Sequence, residues 1–213
     1  IDFTELPGIQ KNIIDRSFSF GKPIVTATQM LDSMMVNPRP TRAEISDVAN
    51  AIYDGTSAIM LSGETAAGDY PVEALKTMSA IAERTENEEH YRPQRHAEIQ
   101  ISVSDATAHA ACLTAKDVNA AAIVTVSESG NTARLLSKYR PKQPIIACVM
   151  DEQVQRQLSL SWGITSLLMG PAHSTDELIE MSTALAQKNG YLHNGELAVV
   201  TAGVPVGVSG TTN

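Results

Sequence analysis

The sequence predicts an α/β fold with parallel strands, and three observations support this prediction. Short apolar runs, typical of buried parallel strands, alternate with segments of helical periodicity along the chain. The first two predicted strands begin about thirty residues apart, which is the size of one βα unit. Capping motifs and prolines mark where several helices begin. Strands separated by helices imply a parallel sheet that is covered on both faces.

The first part of the chain is predicted to hold three helices and two strands. Helical spacing of apolar residues predicts a helix over residues 5–18, and residues 24–27 form the first apolar strand. Residues 41–44 have the spacing of a capping box, so that a second helix begins there. A second strand follows at residues 58–61, and a third helix begins at Pro71. The apolar face of this third helix should contain Val72, Leu75, Met78 and Ile81.

Two strands cannot form a stable parallel sheet by themselves, so that this first part is predicted to be a slice of a larger structure. Residues 86–96 are polar and without periodicity, and they indicate a domain boundary. We expect a first domain over residues 1–88, a linker over 89–100 and a second α/β domain over 101–213. The second domain should contain helices near 102–116, 132–139, 151–158 and 174–190, and strands near 121–126, 144–149, 165–168 and 197–201.

Composition and charge restrict the classes of function. The chain has 213 residues with 16 Lys and Arg against 24 Asp and Glu, a formal net charge of −8, whereas nucleic-acid-binding proteins usually carry a basic surplus. No apolar run approaches the roughly 18 residues of a membrane helix, and no secretory leader is visible. Cys112 and Cys148 lie in apolar surroundings, which favours two buried thiols over a disulfide. We expect a cytoplasmic protein that binds neither nucleic acid nor membranes.

Polar residues follow both strands of the first part, at the strand ends where parallel α/β structures bind ligands. Thr28 comes directly after the first strand, and its hydroxyl can either donate to an anionic substrate or cap the following turn. Ser62 and Glu64 follow the second strand beside glycines. They can relay protons, or they can belong to a turn that is solvated by polar residues.

Two loops of the second domain have the composition of an anion site. The loop between a strand and a helix contains Ser127, Glu128, Ser129, Gly130, Asn131 and Thr132. Hydroxyls and backbone N–H groups at a helix N-terminus bind phosphate, although Glu128 disfavours an anion unless its side chain points away. The loop after the last strand contains Gly207 and Gly210, which let the backbone approach a ligand closely. Disorder at a chain end is the alternative for that loop.

Other residues suggest structural roles. The five histidines share no metal-type spacing, and we expect no metal ligands in this chain. Trp162 should belong to the core together with Leu158 and Leu160. Arg39 and Arg42 flank the first capping box, where they can bind an anion, remain solvated or pair across a subunit interface.

Two segments identify a family. The chain reads TATQMLDSM over residues 26–34 and NPRPTRAEISDVANAIYDGTSAIMLSGETAAGDYPVEAL over residues 37–75. Both closely resemble pyruvate kinase, and residues 22–83 look like the last two βα units of that family's TIM barrel. The remaining chain, with KYRP at residues 138–141, resembles the family's C-terminal α/β domain. The resemblance therefore implies a partial TIM barrel followed by a three-layer α/β domain with a mostly parallel sheet.

The resemblance also implies a reaction. Pyruvate kinases transfer a phosphoryl group from phosphoenolpyruvate to ADP, which gives pyruvate and ATP. Thr28 matches the family's substrate-contacting threonine, and Ser62 and Glu64 match residues that have been linked to protonation of the enolate. Arg39 and Arg42 match the start of a helix at a subunit interface of the parent enzyme, a homotetramer.

An effector site is implied as well. In family members that sugar phosphates activate, the phosphate lies in the loop that matches residues 127–132, and the loop that matches residues 203–212 closes over it. Many relatives regulated by a sugar bisphosphate have a basic residue near Asn131. Because this chain has none there, AMP or a monophosphate remains an alternative effector.

The family's ligands for Mg²⁺ and K⁺ are expected upstream of Ile1. Because phosphoryl transfer relies on metal ions and cationic groups, the chain by itself is expected to be inactive. A second hypothesis, of a different class, is a non-catalytic module that binds a phosphorylated effector in the second domain and oligomerises. A third is a structural remnant that holds subunits together.

Overall fold

A computed structural model of the chain describes residues 2–88 and 102–203. The chain divides into two compact units, Ile1–Arg95 and His96–Asn213. The expected linker lies outside the described residues, so that the limits at residues 88 and 101 stay a prediction. Within the two described ranges, no helix is both long enough and apolar enough to span a membrane.

The described residues of the first unit contain the helices and strands that the sequence predicts, one further α-helix and two short 3₁₀ helices. Its described α-helices are α1 (Leu6–Ser19), α2 (Arg42–Tyr53), α3 (Gly63–Ala66) and α4 (Pro71–Glu86), and its parallel strands are β1 (Val25–Ala27) and β2 (Ala58–Met60). A 3₁₀ helix, Asp32–Met35, follows β1. The sequence does not predict α3, because a four-residue helix beside glycines has the composition of a turn.

The capping box at the start of α2 is confirmed. Thr41 Oγ1 accepts the N–H of Glu44 at 3.3 Å, and the Glu44 carboxylate accepts the N–H of Thr41 at 2.7 Å. Helix α2 therefore begins where the local motif places it. The core of the unit lies between α2, α4 and the 3₁₀ helix, and it is formed by Met30, Leu31, Met34, Val48, Ala51, Ile52, Ala74 and Met78.

The apolar face predicted for α4 is only half buried. Met78 is buried and Ile81 packs against the core, but Val72 and Leu75 are exposed. Ala74, four residues before Met78, takes the inner position instead. Spacing alone selects a stripe of apolar residues, whereas contact with α2 decides which side of that stripe is covered.

The two-stranded sheet leaves apolar side chains uncovered. Val25 of β1 and Met60 of β2 are both exposed, as are Leu6 and Ile13 of α1. A parallel sheet is normally covered on both faces. This unit therefore has the character of a barrel segment, in agreement with the predicted fold class.

The second unit is an α/β domain around a four-stranded parallel sheet. Its strands are β3 (Ala122–Val126), β4 (Ile145–Val149), β5 (Ile164–Leu168) and β6 (Ala198–Thr201), in the order β5-β4-β3-β6. Its described helices are α5 (Val103–Asp117), α6 (Asn131–Lys138), α7 (Glu152–Leu158) and α8 (Thr175–Lys188). All eight elements were expected from the sequence pattern, and each is confirmed to within a few residues.

Helices cover this sheet on both faces, which confirms the three-layer arrangement. Val124 and Cys148 pack with α8, whereas Ile123 and Ile145 pack with α5 and α6. Neighbouring residues of a strand point to opposite faces, so that α8 lies on one side and α5 and α6 on the other. Because both faces are buried, β4 is a continuous apolar run in the sequence, and Thr125 alone interrupts the apolar run of β3.

The capping box predicted for α8 forms in one direction only. Ser174 Oγ accepts the N–H of Glu177 at 3.2 Å, as the motif requires. The Glu177 carboxylate, however, accepts the N–H of His173 at 2.7 Å rather than that of Ser174. Helix α8 ends at Lys188, and Gly190 follows in the left-handed conformation that commonly ends helices.

A buried ion pair joins α5 and α6. Lys138 Nζ lies 3.1 and 3.2 Å from the two carboxylate oxygens of Asp105, and each side chain is 1% exposed. Asp105 lies in the first turn of α5 and Lys138 in the last turn of α6, so that each charge also complements its helix dipole. The pair fixes α5 against α6.

The two cysteines are buried free thiols, as predicted. Burial raises the pKa of Cys112 to about 12 and that of Cys148 to about 11. Both thiols are therefore protonated at neutral pH and behave as small apolar side chains.

The core group expected around Trp162 forms only in part. Leu158 is buried, but Leu160 is exposed, so that its assignment to the core is wrong. Trp162 is half-buried, and the guanidinium of Arg140 lies 4.6 Å from its ring centre. A cation, rather than the side chain of Leu160, therefore lies over the indole ring.

Asp105→Asn should strongly destabilise the second unit. Removing one partner leaves the Lys138 charge buried, which should lower the free energy of unfolding by about 3–5 kcal/mol. Trp162 is the one tryptophan of the chain, so that urea unfolding followed by its fluorescence reports on this unit.

The control for this variant is Glu152→Gln. Glu152 pairs with Arg156 at 3.1 Å on the surface, where the side chains are 68% and 70% exposed. That variant should change the unfolding free energy by no more than about 0.5 kcal/mol. Equal effects of the two substitutions would contradict a structural role for the buried pair.

Candidate active site

The ends of β1 and β2 place the predicted site residues at one edge of the sheet. The parallel register pairs Val25 with Ala58 and Ala27 with Met60. The chain therefore leaves both strands at the same edge, where Thr28 follows β1 and Ser62 lies two residues beyond β2. Carboxyl ends of parallel strands are where such folds bind ligands.

Thr28 and Gln29 have strained backbone conformations. Their φ angles are +72° and +55°, in the left-handed region that favours glycine. For a β-branched residue such as Thr28 this is a clear outlier, and each such residue costs on the order of 1–3 kcal/mol. Both side chains are exposed. Strain at an exposed threonine directly after a strand supports a functional role for this residue.

Glu64 joins the two strand-end loops. Its side chain is 1% exposed, and its carboxylate accepts the N–H of Leu31 at 3.0 Å and the N–H of Ser62 at 2.8 Å. Leu31 belongs to the loop after β1, and Ser62 belongs to the loop after β2. One carboxylate thus holds the loops of Thr28 and Ser62 together.

The pKa of Glu64 reflects these contacts. Burial raises the pKa of the carboxyl, and the nearby Glu44 raises it too, but the N–H groups of Glu64, Leu31 and Ser62 together lower it below its ordinary value. Glu64 is therefore ionised at neutral pH. A carboxylate engaged by backbone donors is suited to holding loops in place and poorly suited to donating a proton.

Two glycines permit the close packing of α3 against the loop after β1. A Cβ atom on Gly68 would lie 3.2 Å from Met35 Cα, and one on Gly63 would lie 2.9 Å from Met35 Sδ. The N–H of Asp69 donates to the Met35 carbonyl at 2.8 Å. The segment after β2 is therefore built tightly onto the 3₁₀ helix.

Arg39 and Arg42 are exposed at the start of α2. Arg42 is the first residue of that helix, and Arg39 precedes the capping box. Exposure is compatible with an interface role, which stays a prediction.

The predicted anion loop of the second unit precedes α6. Ser127 and Thr132 are buried, whereas Ser129 and Asn131 are exposed. Gly130 has a φ of +74°, and a Cβ atom there would lie 3.1 Å from atoms of both Leu158 and Val154. The side chain of Glu128 is exposed as well.

A basic residue that the sequence analysis missed lies over this loop. Arg134 Nη1 donates to the Ser129 carbonyl at 2.9 Å, and Nη2 donates to Gln157 Oε1 at 3.3 Å. Helical periodicity could have found it, because Arg134 is one turn beyond Gly130 and faces back toward the loop. The guanidinium brings positive charge to this loop, in which Glu128 is the single charged residue.

Other expected site residues lie elsewhere. Gly207 and Gly210 fall outside the described residues. Within residues 2–88 and 102–203, no group of three or more His, Cys, Asp or Glu side chains could hold a metal ion.

The fold defines the general class as an α/β protein with a barrel segment, whose candidate site lies at the carboxyl ends of β1 and β2. Comparison with known proteins identifies the family within this class. The family model for the pyruvate kinase barrel domain matches residues 1–75, and the model for the pyruvate kinase alpha/beta domain matches residues 105–213. The chain belongs to the pyruvate kinase family and corresponds to a C-terminal portion of such an enzyme.

Individual relatives agree with this assignment. The pyruvate kinase of Clostridium acetobutylicum is 52% identical over 216 residues, which cover 100% of this chain and 46% of that protein. The pyruvate kinase of Geobacillus stearothermophilus is 52% identical over 212 residues, which cover 98% of this chain and 36% of that protein. A crystal structure of a pyruvate kinase from Cryptosporidium parvum matches with a TM-score of 0.84 and 39% identity, over 95% of this chain and 42% of that one. The chain thus spans less than half the length of these relatives.

Glu64→Gln should destabilise the first unit in a pH-dependent way. At pH 7 the amide NH₂ would face a buried N–H, which should cost about 1–3 kcal/mol of unfolding free energy. The folded pKa of Glu64 lies below its ordinary value of 4.5, so that its contribution is complete above pH 4.5 and is lost as the pH falls through the folded pKa. The difference between wild type and variant should therefore shrink in acid.

Urea unfolding, followed by far-ultraviolet circular dichroism at a series of pH values from 7 downward, measures this difference in unfolding free energy. Trp162 fluorescence, measured in parallel, reports the unfolding of the second unit separately. Glu73→Gln, on the exposed side of α4, is the matched control and should show no difference at any pH. A destabilisation by Glu64→Gln that stays constant with pH would rule out the ionised bridge.

Proposed function

We propose that this chain forms part of a pyruvate kinase that transfers a phosphoryl group from phosphoenolpyruvate to ADP. The observation that carries the proposal is the strained Thr28 at the same sheet edge as Ser62, within the segment that matches the barrel domain. Strain at a strand end persists where function requires a side chain at a set position. We place the enzyme in the cytoplasm.

The residues of this chain take different roles in that reaction. The bond between the phosphorus and the enolate oxygen of phosphoenolpyruvate breaks, and a bond from phosphorus to a terminal oxygen of ADP forms. The enolate then takes a proton on its terminal carbon and becomes pyruvate. Thr28 and Ser62 contact the substrate through their hydroxyls at the sheet edge. Glu64, which is ionised and bound to backbone N–H groups, positions the two loops.

Metal ions are not assigned to this chain. Phosphoryl transfer in this family is expected to use Mg²⁺ and K⁺, which neutralise charge on the moving phosphoryl group. The described residues do not offer a cluster of ligands that fits either ion, and we derive no step through them. We expect the 213 residues alone to lack kinase activity.

The test replaces the matching part of the Clostridium acetobutylicum pyruvate kinase with this chain. The two sequences are 52% identical over the exchanged part, so that the chimera should fold and convert phosphoenolpyruvate and ADP to pyruvate. Thr28→Ala in the chimera should lower kcat about 100-fold, because a hydroxyl that acts in the transition state is lost. Thr28→Ser keeps the hydroxyl and should retain most of the activity.

Thr114→Ala, an exposed threonine of α5, serves as the control and should leave kcat unchanged. An inactive chimera that is folded by circular dichroism would argue against the proposed function. An active chimera in which Thr28→Ala has no effect would remove Thr28 from the mechanism.

A second function is favoured by the loop before α6. Exposed Ser129 and Asn131, the left-handed Gly130 and the guanidinium of Arg134 together suit a phosphorylated effector. We propose that this loop binds a sugar phosphate or AMP, and that Gly207 and Gly210 contribute to the same effector site. We also propose a homo-oligomer, a tetramer in the parent enzyme, with Arg39 and Arg42 at an interface.

Isothermal titration of the chain with AMP, ribose 5-phosphate and fructose 1,6-bisphosphate tests the effector site. At least one compound should release heat on binding, and Ser129→Asp should abolish that heat because it places a carboxylate at the N-terminus of α6. Thr114→Asp adds the same charge on α5 and should not interfere. No heat from any of the three compounds would contradict effector binding.

A further inference from the structure

Glu44 reaches beyond the helix that it caps. Besides its contacts with Thr41, its Oε1 accepts the N–H of Ser33 at 2.6 Å and its Oε2 accepts the Ser33 hydroxyl at 2.5 Å. Ser33 belongs to the 3₁₀ helix that follows the Thr28 loop. Ser33 and Thr41 therefore each supply two of the four hydrogen bonds that this carboxylate accepts.

A short segment after Thr28 is held by two carboxylates from different elements. Glu64 of α3 accepts the N–H of Leu31, and Glu44 of α2 accepts the N–H and hydroxyl of Ser33. The pKa of Glu44 is lowered, since burial raises it but hydrogen bonds from Ser33 and Thr41 lower it by more. The pKa of Glu64 is lowered as well. Two negative charges are thus kept ionised close to each other by the backbone that they hold.

This arrangement explains how the strain at Thr28 and Gln29 persists. A left-handed pair of non-glycine residues relaxes unless the flanking chain is fixed on both sides. On one side β1 is paired with β2, and on the other side Leu31 and Met34 are fully buried. Burial fixes the side chains, but the two carboxylates fix the backbone N–H groups and hence the direction of the chain.

An ordinary capping box does not require these contacts. In the second unit Glu177 occupies the same position of α8, and its carboxylate accepts an N–H from His173, the residue directly before its own cap. Glu44 instead contacts a residue eleven positions earlier in the chain. The bond from Glu44 to Ser33 therefore joins separate elements, whereas the bond from Glu177 serves its own helix.

We propose that Glu44 is a positioning residue of the active site, which acts through Ser33 to hold Thr28 in its strained conformation. The proposal rests on the proposed function, in which Thr28 contacts the substrate. Glu44 touches neither substrate nor reacting atoms in this scheme.

Amide hydrogen exchange on the 213-residue chain is the first test. In wild type the N–H groups of Leu31 and Ser33 should be protected. In Glu44→Gln, one backbone N–H would lose its acceptor oxygen, and both amides should exchange about tenfold faster or more. Leu31 is the decisive residue, because its partner is Glu64 and not Glu44. Glu177→Gln, the equivalent change at α8, should alter neither amide.

The second test measures kinetics in the chimera described above. Glu44→Gln should lower kcat about tenfold while the KM for ADP stays unchanged, since a displaced Thr28 hydroxyl would no longer contact phosphoenolpyruvate in the reactive geometry. Ser33→Ala removes the hydrogen bond from the Ser33 hydroxyl to Glu44 but leaves the capping box of α2 intact. This variant therefore tests the contact between Ser33 and Glu44 without disturbing the start of α2. It should lower kcat by a smaller factor, about threefold. Glu177→Gln should leave kcat unchanged.

The outcomes separate this proposal from the proposed function. Unprotected Leu31 and Ser33 in wild type, or faster exchange confined to Ser33 and Thr41 in Glu44→Gln, would overturn it. An unchanged kcat in Glu44→Gln and Ser33→Ala, together with a lowered kcat in Thr28→Ala, would also overturn the proposal for Glu44. In that case the proposed function would stand. Loss of kcat in Glu44→Gln and Ser33→Ala together with faster exchange of Leu31 would support it.

Discussion

The candidate site of the first unit depends on the Glu64 carboxylate, which accepts hydrogen bonds from backbone N–H groups of two loops. Parallel strands bring their ends to one edge, but a strand end does not by itself fix the loop that follows. Glu64 supplies that constraint, because it accepts hydrogen bonds from Leu31 after β1 and from Ser62 after β2. Glu44 extends it to Ser33. With both carboxylates in place, a threonine can occupy a backbone conformation that it would otherwise avoid.

The second unit reaches order by a different route. Its sheet is buried on both faces, and the Lys138–Asp105 pair fixes α5 against α6 without solvent. The position of the loop before α6 is set by its contacts with α7. Gly130 lies so close to Leu158 and Val154 that a larger residue would displace the loop. Arg134 then ties the loop to α7 through Gln157.

Local patterns were sufficient for most of the secondary structure and for naming candidate residues at the strand ends. The capping box at Thr41 lies within four consecutive residues, and strand ends select Thr28 and Ser62 without any knowledge of the packing. Patterns were insufficient where a neighbour from another element decides the outcome. They assigned Leu160 to the core although it is exposed, and they offered no sign that Glu44 also binds Ser33.

By itself the sequence determined the α/β class, most strands and helices of both units and the membership in the pyruvate kinase family. It also determined which polar residues follow the strands. These properties depend on residue spacing and on motifs that are contiguous in the chain. Only the tertiary structure decided which groups those residues contact. In the sequence, Glu64 is a candidate for relaying protons. In the fold, its carboxylate oxygens accept hydrogen bonds from backbone N–H groups, which lower its pKa and keep it ionised. The physical reason is that the state of a buried charge is set by the dipoles around it, and these come from segments far apart in the chain.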